Sequence, residues 1–197
     1  MGRKQPRVAY QLTSVDARIK PSEDELRCIL RAADEIIFTA GRDMLAKILK
    51  GSKDKKVLAH NLDQSPIYGC FSDRTIDEIL RMIDWVIGSR YLAIEYDGRL
   101  PMIVFAPKGW ELYKSIYSDE LHQLILQTSE EEAARALIEQ LKNTNREVIF
   151  ILLEQIAATG NIGVINFLER WREVEVKKVQ VRINWIISQL RKAGVSH

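Results

Sequence analysis

The feature that most constrains the fold is a change of hydrophobic period partway along the chain. Isoleucine and leucine recur at helical spacing over residues 76 to 87, and Thr75 with Glu78 forms a capping box ahead of them. Residues 91 to 96 and 101 to 105 are instead apolar, β-prone runs, joined by an Asp-Gly turn signal. The sequence therefore predicts a capped helix that leads directly into a β-hairpin.

Helical patterns also precede this helix and hairpin. Ser22 with Glu25 predicts the cap of a helix over residues 23 to 38, and further helices are predicted at 42 to 50 and 53 to 60. Three helices followed by a hairpin is the element order of a winged helix. In that fold the third helix usually lies in a DNA groove, and the hairpin forms the wing.

The chain beyond the hairpin is predicted to be helical to its end. Ser118 predicts one helix cap, and Ser129 with Glu132 predicts a capping box. Three more helices follow in the prediction, at residues 147 to 159, 162 to 171 and 174 to 192. Helices of this length with very short connections indicate stacked antiparallel hairpins, similar to a pair of HEAT-like repeats.

The predicted fold class is mainly α with a small β-hairpin. We expect an N-terminal arm and leading helix at residues 1–38, a winged helix at 39–117 and an α-helical, HEAT-like hairpin domain at 118–197. With 197 residues, 46% of them hydrophobic, the chain is long enough to bury two small cores.

The most concentrated group of cations lies at residues 49 to 56. Gly51 is a natural stop for one helix, and Ser52 can serve as the N-cap of the next, whose first amides favour an anion. Four lysines surround the same point: Lys50, Lys53, Lys55 and Lys56. We predict that this turn binds phosphate, and the alternative is a solvated, lysine-rich helix start.

Composition argues against several classes of function. Two cysteines cannot form a four-cysteine zinc module, and the three histidines have neither metal-ligand nor catalytic spacing. We therefore expect no metal site, no cofactor and no catalytic residue. The first ten residues are polar and basic, unlike a signal peptide, and no apolar run has the length of a membrane span. The predicted location is cytoplasmic.

One short motif suggests an enzyme. Residues 119 to 122 spell Asp-Glu-Leu-His, the box with which many helicases hold magnesium and activate water. That chemistry needs an upstream phosphate loop and a strand directly before the acids, and the sequence has no G-x-x-x-x-G-K-[ST] motif. We interpret the box as a coincidence within a helix, and the chain as non-enzymatic.

Several motifs occur together in an order that is typical of one family. They are residues 49–52, Lys56, residues 68–69, the helix at 75–87, residues 91–92 and residues 108–109. In this order and spacing, residues 40 to 115 resemble the RQC domain, the C-terminal winged helix of RecQ helicases. The chain is also similar to stand-alone RQC-related proteins of bacillus type, which have no helicase motor.

The resemblance implies a set of DNA contacts. In the family, residues that match Lys50, Ser52 and Lys56 contact the DNA backbone. The hairpin tip lies at the end of a duplex, so Leu100 would stack on a terminal base pair and Arg99 would hold a phosphate. The alternative for the tip is a plain polar turn beside a leucine.

Three further residues complete the predicted site. Lys53 adds positive charge beside the turn. Arg74 and Thr75 precede the third helix and are candidates for a second phosphate contact at its N-terminus. The alternative for Thr75 is that it only caps this helix.

The sequence thus predicts a DNA-binding protein that contacts duplex ends, forks or junctions and acts in replication, recombination or repair, associated with the nucleoid when bound. The alternative is a protein-interaction module that docks a helicase or replication partner. A third alternative is an enzyme, either a nuclease or a separated helicase subunit.

Overall fold

The computed structural model describes residues 19 to 195, which are mainly helical, with a two-stranded antiparallel sheet. Most of the predicted N-terminal arm, residues 1 to 18, lies outside the described part. The elements are α1 (Glu23–Asp34), α2 (Arg42–Lys50), α3 (Lys55–Ala59), α4 (Ile76–Gly88), β1 (Leu92–Asp97), β2 (Leu100–Phe105), α5 (Pro107–Gln127), α6 (Glu131–Asn143), α7 (Arg146–Thr159), α8 (Ile165–Val174) and α9 (Lys177–Val195). One compact unit ends at Tyr113, and the next begins at Lys114, within α5.

Helix α1 begins as predicted and ends earlier than predicted. Ser22 and Glu25 form the capping box that the sequence indicates. The helix stops at Asp34 rather than at residue 38, because Phe38 has a φ of 58° and its N–H donates to the Ile103 carbonyl at 3.1 Å. A bond to a distant strand therefore replaces the last helical turn.

Helices α2 and α4 form the centre of the first unit and have the predicted bounds. Helix α2 packs against both α1 and α4 and buries leucine and isoleucine completely. Thr75 and Glu78 form the predicted capping box at the start of α4, and Ile79 and Ile83 are fully buried. These side chains are part of the hydrophobic core of the winged-helix unit.

The hairpin is confirmed, and its register defines the tip. Asp97 pairs with Leu100, so Gly98 and Arg99 form a two-residue turn. Gly98 has a φ of 57°, which a hairpin turn of this length requires. The outer edge of β2 is covered by the chain before α2, because the Ile103 N–H donates to the Ala40 carbonyl at 2.9 Å. The mainly helical fold with a wing therefore matches the predicted fold class.

Two predicted helix caps in the second unit are wrong. Helix α5 continues through Ser118, whose buried hydroxyl donates to the Ser115 carbonyl at 2.9 Å. A serine that bonds back to its own helix satisfies its hydroxyl without ending that helix. The N-cap position of α6 is Glu130 with no side-chain cap bond, one residue after the predicted Ser129.

The remaining helices follow their predicted order with shifted starts. Gly160 ends α7 at a φ of 63°, and the Asn161 side chain then accepts the Gly163 N–H. A 3-10 turn occupies Ile162–Val164, so α8 starts at Ile165 instead of residue 162. Helix α9 starts at Lys177 rather than residue 174 and packs against α7 and α8. The HEAT-like comparison stays a prediction.

Over residues 19 to 195, no helix combines the length and apolar content that a membrane span requires.

Candidate nucleic-acid interface

The lysine turn is built on a close contact between two glycines. Gly51 ends α2 with a φ of 75°, and a Cβ atom on it would lie 3.0 Å from the Gly69 Cα. The N–H groups of both glycines donate to the Ile48 carbonyl, at 3.0 and 2.9 Å. Only glycine combines this left-handed backbone with such a close approach, so the residues on either side of Gly51 are held in place.

Lys50 connects the end of α2 with the residues before α4. Its Nζ atom donates to the carbonyl oxygens of Ser72 and Arg74, each at 2.7 Å. An ammonium group has three N–H donors, so these two bonds leave one donor for another acceptor. Lys50 therefore has a structural role in this turn, whether or not it also meets a phosphate.

The predicted N-cap of the next helix is wrong. Helix α3 starts at Lys55, and its cap is Asp54, whose Oδ1 accepts the Lys56 N–H at 2.8 Å. Ser52 lies two residues before this cap, and its Oγ accepts the Asp54 N–H at 3.3 Å. A carboxylate is a strong cap, and Lys47 holds this one in place with a contact of 2.8 Å between Nζ and Oδ2.

The position of Asp54 changes the electrostatics of the turn. The Lys47 side chain, and after it the Lys56 N–H, lower the pKa of the Asp54 carboxyl below its ordinary value. The start of this short helix is thus occupied by a carboxylate that stays charged at neutral pH. Any attraction for phosphate at this point must come from lysine side chains, not from helix amides.

Three lysines on this turn are directed to solvent. Lys53, Lys55 and Lys56 are exposed, and within residues 19 to 195 their ammonium groups form no hydrogen bond or ion pair. By contrast, Lys47 is paired with Asp54 and Lys50 with two carbonyls. The three exposed lysines are the positive charges that this turn presents to a ligand.

Arg74 and Thr75 each have a structural partner. The Arg74 guanidinium binds the Glu25 carboxylate and lies 5.6 Å from the centre of the Phe71 ring. The Thr75 Oγ1 atom accepts the Glu78 N–H, while Glu78 Oε2 accepts the Thr75 N–H at 2.8 Å. The latter bond lowers the pKa of the Glu78 carboxyl. Their predicted phosphate contacts would add to these bonds.

A groove of about 960 Å³ brings two of the predicted site residues together. Lys56 lines the helical side of this groove, and Leu100 lines the side formed by the wing. The Leu100 side chain is 56% exposed although it is apolar. Lys47 and His60 also line the groove. No sequence pattern predicts them there, because their position depends on how α2 and α3 pack beside the wing.

The helicase-like box lies inside a helix. Helix α5 begins at Pro107, so the two acids directly follow helical residues and not a strand. Asp119 Oδ1 accepts a bond from the Gln155 amide at 2.6 Å, and His122 is buried. Among the described residues, no group of three or more His, Cys, Asp or Glu side chains is arranged to hold a metal ion.

Comparison with known proteins identifies the family. The model of the RQC domain matches residues 20–132, which is more than half of the chain. The chain belongs to the RQC domain family. Its matched region includes α1, the three helices of the winged helix, the wing and α5. The RQC domain is a non-catalytic winged-helix domain that binds DNA.

A curated relative carries the same domain. The ATP-dependent DNA helicase RecQ of Bacillus subtilis (strain 168) is 28% identical over 126 residues, which are 62% of this chain and 20% of the helicase. The chain therefore covers about a fifth of the length of that relative. No solved structure matches the chain.

Proposed function

We propose that this RQC protein binds duplex or forked DNA and acts in replication, recombination or repair. The family supports DNA binding, and the second support is the groove that both Lys56 and Leu100 line. A cation that holds a phosphate beside an exposed apolar side chain suits the end of a duplex, where the charged backbone adjoins a base pair whose outer face is uncovered. We propose no catalytic role for the chain.

The contacts can be assigned from the state of each side chain. Lys53 and Lys56, with the neighbouring Lys55, bind phosphates through their exposed ammonium groups. Lys50 and Ser52 stabilise the turn through hydrogen bonds within the protein. The remaining N–H donor of Lys50 binds a phosphate of the DNA backbone. Phosphate contacts of this kind position the duplex without reading its sequence.

The second half of the site is the wing and the start of α4. Leu100 stacks on the last base pair, and Arg99 in the adjoining turn contacts a phosphate of the same end. Arg74 and Thr75 contribute a weaker contact, since each is already bonded to a glutamate. The proposed preference is therefore for ends, forks and junctions.

A charge-matched comparison tests this proposal. The double variant Lys53→Gln with Lys56→Gln removes two exposed cations. The slope of log affinity against log salt is negative, and it should become less steep by about one for each lysine. The control is Arg135→Gln with Lys142→Gln, which removes two exposed cations from α6. Fluorescence anisotropy on forked, blunt and single-stranded DNA measures both.

The result can contradict the proposal in two ways. Absence of binding to forked and blunt DNA at low salt would reject DNA binding itself. An equal loss of affinity in both double variants would show that total charge matters and that the lysine turn does not. Circular dichroism checks that each variant is folded.

Protein docking is a second candidate function, and helix α9 favours it. Val181 and Trp185 lie one turn apart on α9 and are 62% and 47% exposed. The Arg182 guanidinium lies 4.5 Å from the centre of the Trp185 ring, an arrangement common at protein interfaces. The proposed partner is a RecQ helicase or another replication protein.

This candidate predicts a different set of effects. Val181→Ser with Trp185→Ser should weaken binding to a purified RecQ helicase, and Lys53→Gln with Lys56→Gln should leave that binding unchanged. Isothermal titration calorimetry measures both. Equal heats for wild type and the α9 variant would reject docking through this helix.

A further inference from the structure

The two cysteines of the chain lie in contact, although 41 residues separate them in sequence. Cys28 is on α1 and half-buried, while Cys70 is exposed in the turn-rich segment before α4. The two thiols share a hydrogen bond. Neither cysteine is part of the proposed DNA contacts.

Contacts on both sides of the cysteines fix this arrangement. Toward the end of α1, the Ser65 hydroxyl donates to Glu35 Oε1 at 3.3 Å. Toward its start, the Arg74 guanidinium binds the Glu25 carboxylate. Helix α1 and residues 65 to 74 therefore run side by side, and the thiols meet between two polar contacts.

The hydrogen bond makes the two thiols unequal. Cys70 donates to the Cys28 sulfur, which lowers the pKa of Cys28 to about 7, although burial and the charges of Asp24 and Glu25 act in the opposite direction. The same bond raises the pKa of Cys70. The thiolate is the nucleophile in reactions of this kind, so the lowered pKa favours Cys28 as the attacking group.

We propose that Cys28 and Cys70 are a redox modification site that forms a reversible intrachain disulfide on reaction with a peroxide. The Cys28 thiolate attacks one peroxide oxygen and becomes a sulfenic acid, while the second oxygen leaves and is protonated to water. The Cys70 sulfur then attacks the Cys28 sulfur, a second water leaves with the Cys70 proton, and the disulfide forms. Two thiols are oxidised as one peroxide is reduced to two waters.

Small disulfides such as oxidised glutathione act by exchange at the same site. Cys28 attacks one sulfur, one glutathione thiolate leaves, and a mixed disulfide forms. Cys70 then displaces the second glutathione, and an added dithiol reduces the protein disulfide to two thiols while it is itself oxidised to a disulfide. Where thiols are normally kept reduced, a disulfide of this kind is transient and signals oxidation.

The position of the bond determines what it affects. Residues 69 to 74 are held on one side by α1 and on the other by α2, where Lys50 donates to the Ser72 and Arg74 carbonyls. The Phe71 N–H also donates to the Leu49 carbonyl at 2.8 Å. A disulfide therefore joins α1 covalently to the segment that supports the lysine turn.

Peptide mapping of the full chain tests the proposal without reference to DNA. Trypsin leaves Cys28 in residues 28 to 31 and Cys70 in residues 57 to 74. After treatment with one equivalent of hydrogen peroxide, the wild type should lose both free thiols, weigh two hydrogen atoms less, and give these two peptides as one linked species. Dithiothreitol should separate them again.

Single variants test the two roles. With oxidised glutathione, Cys70→Ser should accumulate the mixed disulfide at Cys28, whereas Cys28→Ser should react more slowly. Wild type in urea should form the linked peptide more slowly than the folded chain, because the contact is then lost. Linked peptides that occur only between two chains would overturn the proposal, as would separate oxidation of the two cysteines.

Discussion

At the residue scale, glycines define the geometry of the site more sharply than its charges do. Gly109 lies in the first turn of α5, and a Cβ atom placed on it would be 1.8 Å from the Tyr91 carbonyl oxygen. That oxygen already accepts the Ala106 N–H at 3.0 Å. The wing and α5 are therefore joined at a point where no side chain fits.

We expect Gly109→Ala to lower the free energy of unfolding by about 2 kcal/mol, because backbone must move to admit the methyl group. Urea denaturation followed by circular dichroism measures the change. The control is Gly160→Asn at the end of α7, where nothing lies within 4 Å and asparagine tolerates the left-handed backbone. Equal stability of Gly109→Ala and wild type would contradict the close contact.

Leu100 is the residue whose predicted role depends most on the wing. Its exposed side chain at the groove should stack on a duplex end, so Leu100→Ala should weaken binding to blunt DNA by about 1 kcal/mol, roughly fivefold. Binding to a dumbbell duplex, which is closed at both ends, should not change. An equal loss on both substrates would mean that Leu100 does not contact duplex ends.

At the scale of elements, local signals were sufficient wherever a cap and an apolar face agree. Helices α2 and α4 and the hairpin lie where the sequence predicts them, and the capping boxes of α1 and α4 are confirmed. The predicted helix ends were wrong where a residue far away in the sequence determines where a helix begins or ends. Lys47 stabilises Asp54 as the cap of α3. The Phe38 N–H donates to a carbonyl of β2, so it does not extend α1.

The site shows the same division between local and distant causes. The cluster of lysines is visible in sequence, and three of its members are exposed. The bonds of Lys50 to Ser72 and Arg74 are not visible, since they cross 22 and 24 residues. A sequence pattern identifies which residues carry charge, while packing decides which of those charges remain available.

The capping box of α4 makes a prediction about pH. Hydrogen bonds from Thr75 lower the pKa of the Glu78 carboxyl in the folded chain, so the folded state binds fewer protons than the unfolded state around pH 4. This stabilisation is complete at neutral pH and is lost as the pH falls through the ordinary glutamate range and then through the lowered folded value.

Two variants distinguish the contribution of the Thr75 hydroxyl from that of the charged Glu78 carboxylate. Thr75→Ala should destabilise the chain by about 1 kcal/mol at pH 7, and Glu78→Gln should reduce the fall in melting temperature between about pH 5 and about pH 3. Thermal unfolding by circular dichroism across this range tests both. A pH profile of Glu78→Gln that coincides with wild type would refute the role of the carboxylate.

At the scale of the whole molecule, net charge is a poor guide to DNA binding. The formal charge is only +2, yet the cations are unevenly placed. Lys53, Lys55 and Lys56 are exposed on the lysine turn, while α9 carries five cations and no acid over Lys177–Val195. Both regions are candidates to attract a polyanion, and the proposed function uses only the first.

Salt dependence distinguishes the two regions. The three exposed lysines alone should contribute about −3 to the slope of log affinity against log salt, from about 0.9 for each phosphate contact. Lys177→Gln with Lys178→Gln should leave this slope unchanged on blunt and forked DNA, because a slope counts only the cations that displace counterions from DNA. A less steep slope in that variant would place part of the DNA interface on α9. A wild-type slope near zero would exclude phosphate contacts by the lysine turn.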